Sequence, residues 1–207
     1  FGGYSETHRW PARDEWEFDG VTWTNRVTGL PLGRNAFSMT YDSTRSQVVL
    51  FGGLGDGQRL DDTWVKDGAR WTEKLPTHKP SPRADHSLAF DPGRSVVVLF
   101  GGFVNDTHSN DTWEWNGSDW TQRSSAQVPP PRINHALAYD PSGGGVLLYG
   151  GQLVPPPPMP NVPQIPFADT LYEDTWRWNG FDWVQLSGGR GKRRGTLMVT
   201  DTQRNRV

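Results

Sequence analysis

The chain has no cysteine, almost no net charge and no long apolar run. Without cysteine it has no disulfide, no thiolate metal site and no thiol nucleophile. Its net charge of −2 over 207 residues argues against a general nucleic-acid binder. No apolar stretch approaches the roughly 20 residues that a membrane-spanning helix needs. We therefore expect no nucleic-acid partner, no membrane insertion and no metal or other cofactor.

Glycine, proline and tryptophan are abundant instead. The 24 glycines, 17 prolines and 11 tryptophans favour short strands and turns over helices. An apolar run ending in Gly-Gly recurs, with the glycines at 2–3, 52–53, 101–102 and 150–151. The pairs are 50, 49 and 49 residues apart, and a fixed period of this size indicates a repeat architecture. We expect each pair to end a strand, where glycine lets the chain leave the sheet at positive φ.

Each repeat predicts four antiparallel strands, which we name a to d. Strand a follows an arginine, strand b ends in Gly-Gly, and strands c and d each carry a tryptophan seven residues apart. These pairs are Trp16 and Trp23, Trp64 and Trp71, Trp113 and Trp120, and Trp176 and Trp183. Asp-Gly or Asn-Gly between c and d predicts a type I′ hairpin turn. The tryptophans are expected to form the core between packed sheets.

A four-stranded meander repeated at about 50 residues predicts an all-β chain of the β-propeller class, built from four-stranded antiparallel blades. The pattern of Arg before a, Gly-Gly in b and Trp in d resembles the kelch repeat. The wording Asp-Thr-Trp with Asn-Gly is similar to bacterial galactose-oxidase-like propellers. That oxidase chemistry needs copper and a cysteine-crosslinked tyrosine, which a chain without cysteine cannot form.

The repeats divide the chain, residues 1–207, into one domain with incomplete ends. Half-units at 1–27 and 193–207 flank complete repeats at 33–75, 82–124 and 131–187. The half-units are complementary, so we expect about four repeats that form part of a larger propeller. A four-bladed ring that closes on itself and a ring closed with a second chain are the alternatives.

The b–c loops are the variable part of the repeat. The a–b and c–d turns are short and repetitive, whereas the b–c loop at 152–173 is far longer than its counterparts. Variable loops on a rigid scaffold are where binding residues concentrate. Since strands alternate in direction, the b–c and d–a loops share one face, and we expect the function there.

One arginine recurs at the entry to strand a, as Arg34, Arg83, Arg132 and Arg193. In some kelch domains this position binds acidic peptides, so the resemblance implies a ligand-binding ring at the mouth of the channel. The alternative is structural, with each guanidinium paired to an acidic or carbonyl group in a neighbouring loop.

Four further residues are candidate ligand contacts. His86 and His135 each follow their arginine by three residues, and either pack in the core or face a ligand. Two histidines without a third ligand predict no metal site. Trp10, with His8 beside it in a variable loop, either stacks on a ligand or covers the blade core.

These features favour a non-catalytic interaction scaffold with a protein or glycan ligand, displayed on the b–c and d–a loops. We expect an extracellular or cell-envelope location, with the cytoplasm as the alternative. No nucleophile or paired-carboxylate motif stands out. A carbohydrate-active enzyme of the galactose-oxidase-like class, without the copper-radical site, is the alternative function.

Overall fold

The computed structural model describes residues 2, 14–26, 31–68, 70–154, 170–188 and 191–207. Within these residues it has sixteen strands and no helix. The strands are β1 (Glu15–Phe18), β2 (Trp23–Arg26), β3 (Ser38–Asp42), β4 (Gln47–Gly55), β5 (Gln58–Asp67), β6 (Arg70–Lys74), β7 (Ser87–Asp91), β8 (Val96–Val104), β9 (Thr107–Trp115), β10 (Trp120–Arg123), β11 (Ala136–Asp140), β12 (Gly145–Tyr149), β13 (Gln152–Leu153), β14 (Thr170–Leu171), β15 (Thr175–Trp178) and β16 (Trp183–Leu186). No described helix is long and apolar enough to cross a membrane.

Three four-stranded antiparallel sheets form the blades. Their strand orders are β3-β4-β5-β6, β7-β8-β9-β10 and β11-β12-β15-β16, which are strands a to d in sequence order. The hairpins β1-β2 and β13-β14 make separate two-stranded sheets. The inner strand β7 contacts both β3 and β11, and the three strands line a shared cavity. The predicted all-β architecture of four-stranded antiparallel propeller blades is confirmed.

The core lies between blades. Strand b is a continuous apolar run because neighbouring blades cover both of its faces, and Val97 to Phe100 are completely buried. One core cluster joins Phe51 of the first blade to Leu99 and Trp120 of the second. Each blade is therefore stabilised mainly by its neighbours.

We expected each Gly-Gly pair to end strand b, and this expectation is wrong in the first two blades. Strands β4 and β8 continue through them with a register shift at Phe51/Gly53 and at Phe100/Gly102. Gly52 and Gly53 have φ of 58° and 100°. A Cβ on Gly52 would lie 2.9 Å from the carbonyl oxygen of Arg83 in the next blade. Glycine is needed because two blades meet backbone to backbone here.

Three of the four c–d hairpins are not type I′ turns, whereas the fourth pairs Asp67 with Arg70 across two residues, the second of which lies outside the described part of the chain. Pairing of Trp115 with Trp120 leaves a four-residue loop, in which Gly117 alone has positive φ. The Asn116 side chain accepts hydrogen bonds from the backbone N–H groups of Ser118 and Asp119, both at 2.9 Å. This local side-chain bond replaces the tight turn that Asn-Gly suggested.

Only part of the tryptophan prediction is correct. Trp115, Trp120, Trp178 and Trp183 are fully buried between blades. Trp16 and Trp23 are 49% and 65% exposed, because no described sheet covers their side of the β1-β2 hairpin.

The segment 193–207, expected to be a half-unit, contains no strand. This segment has one isolated bridge, Asp201 to Arg206, too little pairing for a ladder. Its Thr200 hydroxyl donates to the carbonyl oxygen of Tyr139, which holds it beside β11.

Candidate functional site

A row of backbone hydrogen bonds links the blades at the start of the inner strands. The N–H of Asp85 donates to Ala36 O at 2.8 Å, that of Asn134 to Asp85 O at 3.2 Å, and that of Gly195 to Asn134 O at 2.9 Å. All four residues lie two positions after a repeat arginine and have positive φ. The left-handed conformation aims each N–H at the preceding blade.

The same segments surround a cavity of about 230 Å³. Its lining includes Ser38, Asp85, Ser87, Asn134 and Thr196, and we call this cavity the channel mouth. It lies on the face of the d–a and b–c loops. A second cavity of about 400 Å³ follows the inner strands away from it, past apolar side chains such as Leu88 and Leu137.

Among the described residues that line the channel mouth, Asp85 is the one acid. Within the described part of the chain, its carboxylate has no hydrogen bond or ion pair. Burial raises the pKa of Asp85, with the charge of Arg59 opposing the shift. Arg59 is itself bound to Asp106 at 3.0 Å and stacked 4.5 Å from the ring of Phe103. The channel mouth thus holds a half-buried carboxylate that no cation in the described part of the chain neutralises.

His86 and His135 lie behind this carboxylate and are buried at the blade interfaces. The ring of His86 packs edge-on against Phe51 at 5.6 Å, and His135 packs against Phe100 at 5.5 Å. Among the described residues, no ring nitrogen of either histidine makes a hydrogen bond of normal geometry. Burial, with the charge of the nearby arginine, lowers both pKa values to about 3. Both rings are therefore neutral packing groups at neutral pH.

Three of the four repeat arginines are buried structural ion pairs. Arg34, Arg83 and Arg132 are at most 1% exposed, and each grips one aspartate with two nitrogens. The partners are Asp62, Asp111 and Asp174, respectively.

Each of these arginines also binds two backbone carbonyls. Arg83 donates from Nη1 to Gly101 O at 2.9 Å and from Nε to Ser81 O at 3.1 Å. Burial alone would raise the pKa of Asp111, but the hydrogen bonds and charge of Arg83 outweigh it and hold the pKa below its ordinary value. These guanidinium groups connect strands a, b and c of one blade, as the structural alternative expects, and their nitrogens are buried in this structure.

Comparison with known families agrees with this construction. The model of the KLHDC2/KLHL20/DRC7 Kelch-repeats domain matches residues 1–152. The chain belongs to the Kelch-repeat family. A search of curated proteins found no match. Kelch-repeat domains commonly bind protein partners. The general function that the family indicates for this domain is that of a protein-interaction scaffold.

Arg193, the fourth repeat arginine of this Kelch domain, does not line the channel mouth. Arg193 is exposed, and its side chain has no ion pair among the described residues, although its backbone bonds to Gly151 at 2.8 Å. His8 and Trp10 lie outside the described residues. No group of three or more potential metal ligands occurs in the part of the chain that the structure describes.

Asp85 and Asn134 were missed by the sequence analysis. The signal was present, because the residue two positions after the repeat arginine is Ala, Asp, Asn or Gly in the four units. A position that varies inside an otherwise regular repeat is where a symmetric scaffold acquires a particular ligand.

Proposed function

We propose that this Kelch domain binds a protein ligand over the channel mouth. The ligand inserts one of its lysine or arginine side chains beside Asp85. The observation that carries the proposal is the Asp85 carboxylate, which lines the cavity and has no counterion among the described residues. A cation inserted there would regain the charge pairing that burial denies to Asp85.

The size of the cavity favours a single side chain. About 230 Å³ is below the roughly 300–1,000 Å³ of clefts that enclose small-molecule ligands. The Asn134 amide and the Ser87 hydroxyl lie in the same lining. The Ser87 hydroxyl already donates to His135 O at 2.6 Å, so it can still accept a bond from an ammonium or guanidinium group.

The same lining bears on the enzymatic alternative. A general acid must carry a proton near the working pH. His86 and His135 have pKa values of about 3, and Asp85 is the one carboxyl in the described lining. These groups support binding better than glycoside chemistry. A glycan is the second candidate ligand, since a carboxylate beside an amide also suits sugar hydroxyls.

The test is an NMR titration of the ¹⁵N-labelled 207-residue chain with blocked lysine amide, blocked arginine amide, blocked glutamate amide and lactose. We expect shifts at Asp85, Ser87 and Asn134 with the two cations, and their loss in Asp85→Asn. The matched control is Asp56→Asn, which removes the same charge from an exposed loop position.

Two results would contradict the proposal. One is a response to the cations that survives Asp85→Asn, and the other is an equal response to blocked glutamate. A response to lactose alone would favour the glycan.

We further propose that the domain is of the bacterial galactose-oxidase-like type and works outside the cell or in its envelope. The repeated sequence motifs Asp-Thr-Trp and Asn-Gly support this proposal. The full reading frame tests this, since an export signal would agree with it and a cytoplasmic fusion partner would contradict it.

A further inference from the structure

The segment that ends at Asp85 is held between two strands. On one side, the N–H of Arg83 donates to the carbonyl oxygen of Leu60, on β5 of the first blade, at 3.1 Å. On the other side, Ala84 and Phe103 of β8 exchange backbone hydrogen bonds at 2.8 and 3.3 Å. A side chain that reaches from β5 to β8 therefore passes beside this segment.

Arg59 is such a side chain. It precedes Leu60 on β5, and its guanidinium carbon lies 4.5 Å from the centre of the Phe103 ring. Its Nη2 donates to the Asp106 carboxylate at 3.0 Å. This ion pair lies at the surface, because Arg59 is 27% exposed and Asp106 is 89% exposed. The charge of Arg59 also acts on Asp85, whose pKa it lowers against the effect of burial.

The next repeat has a neutral version of the same arrangement. His108 occupies the position of Arg59, and Asn134 occupies the position of Asp85, each 49 residues later. The Nε2 atom of His108 accepts a hydrogen bond from the N–H of Val154 at 3.4 Å. Burial lowers the pKa of His108, so its ring is neutral at neutral pH. An arginine thus accompanies the acid, and a neutral ring accompanies the amide.

We propose that Arg59 regulates the channel mouth by setting how strongly Asp85 binds a cation. The ion pair with Asp106 and the stacking on Phe103 hold the guanidinium where it makes no described hydrogen bond with Asp85. The carboxylate stays able to accept a ligand, while the nearby positive charge repels an incoming cation and lowers its affinity. This inference rests on the proposed cation-binding function.

An NMR titration of the 207-residue chain with blocked lysine amide tests this regulation. Arg59→Gln removes the repelling charge and should bind blocked lysine amide more tightly than the parent chain, by about threefold or more. The matched control is Lys79→Gln, which removes the same charge from an ion pair with Asp61 on the same face. The control should bind blocked lysine amide as the parent chain does.

Asp106→Asn tests whether the ion pair holds Arg59 away from Asp85. Once released, the guanidinium can turn to Asp85, and the affinity for blocked lysine amide should fall by about threefold or more. In the Arg59→Gln background the same substitution should change the affinity little, because no guanidinium is released. A fall of equal size in both backgrounds would overturn the inference.

A measurement without ligand separates this inference from the proposed function. The pKa of the Asp85 carboxyl, followed by ¹³C NMR, should be higher in Arg59→Gln than in the parent chain and unchanged in Lys79→Gln. An Asp85 pKa that does not move in Arg59→Gln would overturn the inference, even if the parent chain binds blocked lysine amide. A parent chain that binds none would overturn the proposed function, and the Asp85 pKa would still decide whether Arg59 acts on the channel mouth.

Discussion

Acid should destabilise this domain because two histidines are buried in neutral form. His86 and His135 have folded-state pKa values of about 3, against about 6.5 for an unfolded histidine. Since the folded pKa lies below the unfolded one, unfolding takes up a proton between these values. Stability should fall as the pH falls through this window.

The size of the effect follows from the two pKa values. Between pH 7 and pH 5, proton uptake by the unfolded chain lowers the free energy of unfolding by about 2 kcal/mol for each buried histidine, hence by about 4 kcal/mol for both. The result barely changes if the folded pKa is one unit higher, because it would still lie below 5. This is a large fraction of the roughly 5–15 kcal/mol that stabilises a typical domain.

Replacement by phenylalanine isolates the histidine contribution. Phe37 occupies the equivalent position in the first blade and lies against Gly53 as His86 lies against Gly102, so the site accepts this ring. Between pH 7 and pH 5, we expect the stability of the double variant His86→Phe/His135→Phe to lose most of its pH dependence. Each single variant should lose about half of that dependence.

Guanidinium unfolding followed by tryptophan fluorescence at pH 7, 6 and 5 measures these differences. The reasoning is refuted if the parent chain is equally stable at pH 7 and 5. It is also refuted if the double variant loses as much stability as the parent.

The remaining predictions concern the buried ion pairs, the indole bonds and the unpaired acid. Arg83→Met should lower the free energy of unfolding by about 3–5 kcal/mol in chemical denaturation, because it leaves the partly buried Asp111 carboxylate without its ion-pair partner. A loss below 1 kcal/mol would contradict the structural role. Trp178→Phe breaks the 2.7 Å bond to Glu114, whereas the Trp115 indole N–H has no described partner. Trp178→Phe should therefore be about 1 kcal/mol more costly than Trp115→Phe in the same assay, and equal costs would refute this. Asp85→Asn should stabilise the fold at pH 7 in thermal unfolding but not below about pH 3.8, where the aspartate is protonated in both states; destabilisation at pH 7 would show that the charge has a partner.

Repetition made the fold predictable, and it obscured the site. The 49-residue period and the regular tryptophans predict the four-stranded blades, since each repeat buries the same face. The Gly-Gly and Asn-Gly dipeptides predicted local structure less well. The conformation at Gly52 depends on a contact with the next blade, and that at Asn116 on its own side-chain hydrogen bonds, and neither can be read from a dipeptide. The arginine ring looked like a binding surface, yet Arg83 is held by an aspartate 28 residues away.

Asp85 could not be distinguished from an ordinary loop aspartate by sequence alone. Whether it has a counterion depends on the neighbouring blades, whose described residues bring Asn134 and Thr196 to the same cavity but no cation. The three-dimensional environment, and not the residue type, identifies it as a candidate ligand contact.

A selection from an unbiased peptide display library against the 207-residue chain tests the central claim most directly. The enriched peptides should then be measured against Asp85→Asn and against the control Asp56→Asn. The account predicts enriched peptides with a shared lysine or arginine, which lose at least tenfold in affinity for Asp85→Asn and keep it for Asp56→Asn. Enrichment of acidic or uncharged peptides, or equal binding to Asp85→Asn, would contradict a cation-binding channel mouth.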